Sequence, residues 1–350
     1  MRAVQFSPEY GLQYVDMPRP DLRPDEVLLR VDACGVCGSD RQVIKGESAP
    51  QGTAFPVILG HEVAGTVVDC GDHGAEWPVG TTVIVHPFTA CGTCAACARG
   101  QDNLCIRQGC IGYTRPGGFA EFVAVPVAQL VRRPETLDPA GAALLVDAYA
   151  TPYRALMEAE MEPGRTVLVI GTGGLGLAAL QLLQAWPAAS VGAVSRRAEG
   201  VAIAESFGAH LAVTTEDDPR SVARSLRRWS GAGGIDIVID TVSDRLSVAF
   251  AVDVVRNGGT IVCVGMSADS VEVPMAKLVR RGIRVIGSYA SRKADVESMV
   301  RWVAEGRFDP AKLIGEQLDL RSVAAAFSPA RSAGRVVVLP NQADVGAQGG

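Results

Sequence analysis

No block of lysines and arginines interrupts this sequence. Its 33 basic residues are outnumbered by 38 acidic ones, for a formal net charge of −5. Without a basic tract the chain lacks the phosphate-neutralising surface that a nucleic acid or an acidic membrane would require, and neither is expected as a partner. An apolar signal core is also missing from the first residues, Met1-Arg2-Ala3-Val4-Gln5-Phe6. Nine cysteines in a chain with no export signal predict a cytoplasmic protein with reduced thiols and metal sites, not disulfides. From Thr166 to Ser195 charge is absent altogether, over a length that could suggest a membrane span. That stretch holds Gly171, Gly173, Gly174 and Gly176, then Pro187, so it reads as a buried strand, turn and helix instead.

Apolar residues make up 48% of the 350 and charged residues 20%, which excludes disorder, and the length suits two domains. The 39 glycines imply many tight turns and close backbone approaches. Residues 1–33 read as β-rich, with Val27 to Ala33 extended after a turn signalled by Pro18, Pro20 and Pro24. Val57-Ile58-Leu59, Val63 to Val68, Thr82 to Val85 and Gly117 to Val125 add short strands. Together they predict a compact β-barrel-like domain.

Two stretches of this domain carry metal-ligand chemistry. Cys91, Cys94, Cys97 and Cys105 follow the spacing C-x2-C-x2-C-x7-C, which can wrap one tetrahedral Zn²⁺. Four thiolates leave no open coordination position, so such a site is structural and staples a loop, about residues 88–110. Bacterial iron–sulfur runs are spaced differently and end on proline, whereas Ile106 follows Cys105. Cys34, Cys70, Cys110 and Cys263 lack such spacing and read as small buried hydrophobes. Upstream, Gly35-Val36-Cys37-Gly38-Ser39-Asp40 and Gly60-His61-Glu62 offer a thiolate, an imidazole and a carboxylate. These are either the donors of a catalytic metal or three unrelated residues: a buried thiol, a capped histidine and a surface acid. Asp147 lies in Leu144-Leu145-Val146-Asp147, within a helical stretch from Ala140 to Met157. A carboxylate there must be paired or metal-bound, unless it sits on the helix surface at a break.

The second half alternates strands and helices, which predicts an α/β doubly wound parallel sheet. Thr166 to Ile170 is an uninterrupted apolar strand of the buried parallel type. It runs into Gly171-Thr172-Gly173-Gly174-Leu175-Gly176 and then an apolar helix, the dinucleotide fingerprint in its proper context. Gly171 permits the turn, Gly173 lets backbone approach a pyrophosphate, and Gly176 lets helix pack on strand. The helix N-terminus offers unpaired N–H groups to the phosphates. Ile235 to Asp240, Gly259 to Gly265 and Arg284 to Ser288 supply further strands, with Val264 at the cofactor end of its strand. In this fold an acid about 20 residues beyond the glycines binds the ribose 2′-OH of NAD. Here the second strand, Ser190 to Val194, leads into Ser195-Arg196-Arg197 with no carboxylate at its tip. Hydroxyl and guanidinium donors suit a 2′-phosphate, so NADP(H) is expected over NAD(H).

With these pieces in place, the chain resembles the medium-chain zinc-dependent alcohol dehydrogenase (MDR) family over residues 1 to about 340. The resemblance implies a GroES-like catalytic domain at 1–146, a Rossmann cofactor domain at 147–287 and a return to the catalytic domain at 288–340. The polar tail from Asn341 to Gly350 is expected to be frayed. It implies two zinc ions per chain, the catalytic one held by Cys37, His61 and Asp147. Glu62 approaches it transiently and Asp40 orients the histidine. It also implies that Ser39 hands the substrate proton onward, that Thr151 lies beside the nicotinamide and that Arg335 touches the pyrophosphate. Two positions depart from the pattern. Gln42 stands where some members carry a relay histidine, and Gly38 where some carry a phosphate-binding base. The implied activity is hydride transfer between NADP(H) and a small-molecule alcohol/carbonyl pair, by a homodimer or homotetramer. Zinc-free enoyl and quinone reductases share the fold but lack the Cys37/His61/Asp147 set. Two other readings are an NAD-dependent polyol or cyclic-alcohol dehydrogenase and a nucleotide-binding sensor or structural protein without turnover.

Overall fold

Strand Glu26–Val36 is the spine of the first half, and its residues explain why. Val27, Leu29, Val31, Ala33 and Cys34 are fully buried, and antiparallel strands flank it on both sides. The computed structural model describes residues 1–47, 49–186, 190–216, 218–328 and 334–342. Across the main sheet the order is Leu130–Arg132, Thr82–Val85, Glu62–Asp69, Glu26–Val36, Arg335–Val338 and Ile314–Leu318. Phe122–Pro126 pairs with the outer half of the spine strand, and a three-stranded sheet of Gly11–Asp16, Arg2–Ser7 and Val57–Ile58 stands apart. Leu29, Val67, Phe119, Leu130 and Val338 meet in one apolar cluster inside this frame. Burying such side chains contributes about 1.5–3 kcal/mol each.

The chain divides into two compact units, Met1–Asp147 together with the stretch from Ser291 onward, and Ala148–Ala290. The first is the GroES-like, barrel-type unit. The second is a parallel sheet in the order Leu211–Thr214, Ser190–Ser195, Thr166–Ile170, Ile235–Asp240, Val255–Cys263, Arg284–Gly287. This is the doubly wound order with its reversal between Thr166–Ile170 and Ile235–Asp240, the point at which such sheets take a ligand. Leu168, Val238 and Ile261 pack at its centre. The uncharged stretch after Thr166 is a strand followed by helix Gly174–Leu183. Among the described residues no helix is long and apolar enough to cross a membrane.

The glycine turn is required sterically. Gly171 has φ +98°, and a Cβ on Gly176 would stand 1.8 Å from the Gly171 carbonyl oxygen. Two expectations need correction. Asn341 is not frayed: its amide donates to the carbonyls of Val31 and Glu121, both at 2.9 Å, and ties the end of the return strand to the barrel. Positions 343–350 of the expected tail lie outside the described residues. Cys34 and Cys110 are buried, but Cys70 and Cys263 are only partly so.

Candidate metal centres and nucleotide turn

Register brings the first donor set together. Gly35 pairs with Glu62 across adjacent strands, so Cys37, just past the end of the spine strand, comes near His61, just before the start of the next. Cys37 is the N-cap of helix Gly38–Ile44, and its amide donates to Asp40 Oδ2 at 2.9 Å. Asp40 Oδ1 in turn lies 3.3 Å from His61 Nδ1, the placement of an acid that orients a ligand histidine. Asp147 arrives from a π-helical turn, Leu145–Tyr149, between helices Pro139–Leu144 and Ala150–Glu158. Such turns recur at functional sites because the extra residue re-aims a side chain.

Cys37 Sγ lies 3.2 Å and His61 Nε2 3.8 Å from Asp147 Oδ2. One ligand atom each from Cys37, His61, Glu62 and Asp147 can be chosen so that all lie within 4.8 Å of one another. Tetrahedral zinc with bonds of 2.0–2.3 Å has ligand–ligand edges of about 3.3–3.8 Å, so the donors fit the ion. Charge supports the same fit. Three acids, Asp40, Glu62 and Asp147, gather here against Arg335, whose Nη2 is 3.0 Å from Glu62 Oε1 and 3.5 Å from Asp147 Oδ2, and against His61, which faces Asp40 and Asp147. Burial pushes the Glu62 carboxyl up to about 8 against the pull of Arg335, and Asp147 adds to the rise. A divalent cation would relieve this surplus of negative charge. Arg335, expected at a pyrophosphate, is thus engaged within the barrel unit and also donates to the Val36 carbonyl at 3.0 Å.

The second donor set is the four-cysteine lobe. Its thiols are free, with Sγ–Sγ separations of 3.9 Å (Cys91–Cys97), 3.5 Å (Cys94–Cys97) and 4.0 Å (Cys94–Cys105). A disulfide needs about 2.05 Å; these separations match the edges of a tetrahedron with bonds of about 2.3 Å. The Cys91 and Arg107 amides donate to Cys105 Sγ at 3.2 and 3.4 Å. A backbone donor at Thr93, helped by Arg107, draws the Cys91 thiol down to about 5, while desolvation and Cys94 drive Cys97 up to about 12. A thiol drawn down beside one driven up calls for a cation that would hold both as thiolates.

In the nucleotide unit, Gly171, Gly173, Gly174, Leu175 and Gly176 form the turn and the first residues of helix Gly174–Leu183. Ser195 closes its strand, with Oγ 3.0 Å from Thr172 Oγ1 and accepting from the Arg197 amide at 3.2 Å. Sequence reasoning did not single out Thr172. Arg196 and Arg197 extend into solvent, each side chain 78% exposed. Arg196 reaches to within 3.5 Å of Asp244 Oδ2, a carboxylate the sequence pattern did not reveal. Val264 and Thr151 are buried, and the Val264 amide donates to the Asp240 carbonyl at 2.8 Å. A cavity of about 750 Å³ elsewhere in this unit is lined by Arg256, Lys277 and Arg281 among others. Asp236, Asp253 and the carbonyls of Val252 and Val255 engage these cations, so they serve the sheet and its helix ends.

A doubly wound sheet with a glycine turn, in one chain with a GroES-like unit bearing two sets of metal donors, marks an oxidoreductase of the zinc-binding type. Residues 23–135 match the alcohol dehydrogenase GroES-like domain family, and residues 174–305 the zinc-binding dehydrogenase family. An alcohol dehydrogenase of Geobacillus stearothermophilus is 31% identical over 330 residues, 94% of this chain and 95% of that one. The chain therefore belongs to the medium-chain zinc-dependent alcohol dehydrogenase family. Among solved structures, the alcohol dehydrogenase of Thermus sp. ATN1 superposes with a TM-score of 0.89 at 29% identity, covering 97% of this chain and 99% of that one. A candidate zinc-binding dehydrogenase from Sinorhizobium meliloti 1021, bound to NADP, gives 0.87 at 31% identity with the same coverage. The thermostable enzyme from Pyrobaculum aerophilum, bound to cobalt and zinc, gives 0.85 at 30% identity, again with 97% and 99% covered.

Proposed function

We propose that this chain transfers a hydride between NADP(H) and an alcohol/carbonyl pair, either a secondary alcohol and its ketone or an aldehyde and its alcohol. The observation that carries the reading is the convergence of Cys37, His61, Glu62 and Asp147 donor atoms within 4.8 Å. Cys37, His61 and Asp147 would hold a zinc ion there, and Cys91, Cys94, Cys97 and Cys105 a second. Bound zinc supplies Lewis acidity at the substrate oxygen. The residues around it do the rest. Asp40 fixes the His61 ring. Glu62, countered by Arg335, is a reserve carboxylate at the ion. Ser39 Oγ exchanges a proton with the substrate oxygen, and Gln42 cannot take that proton at neutral pH, so water or another group must carry it away. Substrate turnover read by NADPH absorbance across a panel of alcohols and carbonyls, on protein of measured zinc content, tests the whole reading. Cofactor binding with no turnover on any member of a broad panel would leave the sensor alternative standing.

The NADP(H) assignment is supported by Ser195, Arg196 and Arg197 without a carboxylate at the strand tip, and by the NADP found in the Sinorhizobium relative. Asp244 beside Arg196 favours the second reading, NAD. The pyrophosphate would rest on the backbone of Gly173 to Gly176, with Thr151 and Val264 near the nicotinamide half. We expect kcat/KM for NADPH to exceed that for NADH by at least about 10-fold, the loss of a charge-assisted contact being 1.5–3 kcal/mol. A strong preference for NADH would reverse the assignment.

Among the described residues the outer strand Arg284–Gly287 pairs on one side only, and Val285 on it, like Met275 and Val279 in the helix before it, is exposed. An uncovered apolar edge is a template for pairing. It supports a homodimer built through this strand, in which Val285→Lys should shift sedimentation from dimer to monomer. A monomeric wild type would end that proposal.

A further inference from the structure

The hydroxyl of Tyr113 lies 2.8 Å from Ser39 Oγ and 3.4 Å from Asp40 Oδ1. Its ring packs beside His61, with centroids 5.2 Å apart, and the side chain is almost wholly buried. A phenol has one hydrogen to give, so the two oxygens compete for it. A hydrogen bond to a carboxylate contracts to about 2.5–2.7 Å, and 3.4 Å lies outside the range of a normal O–H···O bond. The 2.8 Å contact to Ser39 is the modal length. Asp40 is also occupied: Oδ2 accepts the Cys37 amide, and Oδ1 faces His61. The Tyr113 hydrogen therefore goes to Ser39. The serine oxygen, accepting on one lone pair, must point its own hydrogen elsewhere. Ser39 is only half-buried, so an open side remains for a substrate oxygen.

We propose that Tyr113 is a positioning residue for the Ser39 hydroxyl. By donating to Ser39 Oγ it commits the serine hydrogen to the substrate oxygen, so that Ser39 meets a carbonyl as a ready donor. This rests on the reading of Ser39 as the hydroxyl that exchanges a proton with substrate. A donor held in place before the reaction needs no reorientation as negative charge develops on the oxygen. Without the phenol, the serine hydrogen is free to turn inward toward Asp40. Neither Tyr113 nor its spacing belongs to any of the motifs that mark the family resemblance.

A double-mutant cycle tests this, because a residue acting through Ser39 has nothing to act on once Ser39 is gone. Tyr113→Phe keeps the ring beside His61 and removes only the hydroxyl. In the wild-type background it should lower kcat/KM about 10-fold, equivalent to about 1.4 kcal/mol for one hydrogen bond. In the Ser39→Ala background the same change should cost less than about 2-fold. Zinc content by elemental analysis and NADPH affinity by fluorescence should stay at wild-type values in Tyr113→Phe. Equal losses in both backgrounds, no loss in the first, or loss of zinc would each overturn the proposal. Full activity of Ser39→Ala would instead sink the reading of Ser39 itself, a separate result.

Discussion

Cys37→Ala should remove one zinc ion per chain and lower kcat by at least about 10³-fold, while NADPH still binds. Lewis-acid stabilisation of the developing charge is worth several kcal/mol, and each 1.36 kcal/mol is tenfold in rate. Removing the thiolate deletes the one sulfur donor and leaves His61 and Asp147, 3.8 Å apart, with only Glu62, already paired with Arg335, to complete the set. Glu62 and Asp147 still face Arg335, and Asp40 and Asp147 still face His61, so the apo site keeps its ion pairs and should tolerate the change. The glycine turn lies wholly within residues 148–290, the other compact unit, and its fold does not depend on Cys37. Metal analysis, NADPH fluorescence titration and turnover, measured on one preparation, separate these outcomes. Wild-type carbonyl reduction by a variant that has lost its zinc would remove the metal from the mechanism. Loss of NADPH binding along with zinc would show that the substitution had damaged more than the donor set.

How far the sequence could be read depended on whether a feature is local. Cys37, His61 and the four lobe cysteines sit in short runs whose residue types and spacing are themselves the signal. The glycine turn is equally local, because a Cβ at Gly176 collides with the Gly171 carbonyl five residues away. Asp147 stood out as a carboxylate in an apolar run, but its role as a ligand was legible only through the family resemblance; the π-turn that carries it leaves no pattern in the letters. The Glu62–Arg335 pair is less legible still. It exists because Val36 pairs with Val336, a strand register linking residues 300 positions apart. That same pairing explains why an arginine expected at the cofactor is engaged by a buried acid. Strand alternation predicted a parallel sheet, but the placement of Ile235–Asp240 beside Thr166–Ile170 is a long-range choice. Tyr113 falls between Cys110 and Gly117, outside every recognisable motif, and only its distance to Ser39 singles it out.

The second large effect should come from the lobe. Cys97→Ser should release the other zinc and raise local opening of residues 91–105 by more than about 10²-fold, while much of the hydride-transfer activity survives. The lobe has little else to hold it. Its helix Ala95–Ala98 is four residues long, and its strand pair Phe88–Thr89 with Gly109–Cys110 contributes two residues a side. Ile106 is 82% exposed and Leu104 48%, so these apolar side chains are not a core. Elements this small are stable only when something else closes them, and structural zinc contributes about 10–16 kcal/mol in isolated fingers. Losing even about 3 kcal/mol of that locally multiplies the open population more than 100-fold. Hydrogen exchange on the amides of Cys91 and Arg107, which donate to Cys105 Sγ, reads the opening directly. The effect should stay local because the barrel core around Leu29, Val67 and Phe119 uses no lobe residue from 91 to 105. If those amides remain protected after zinc is lost, the lobe is held by its backbone turns and the four thiols are not its staple.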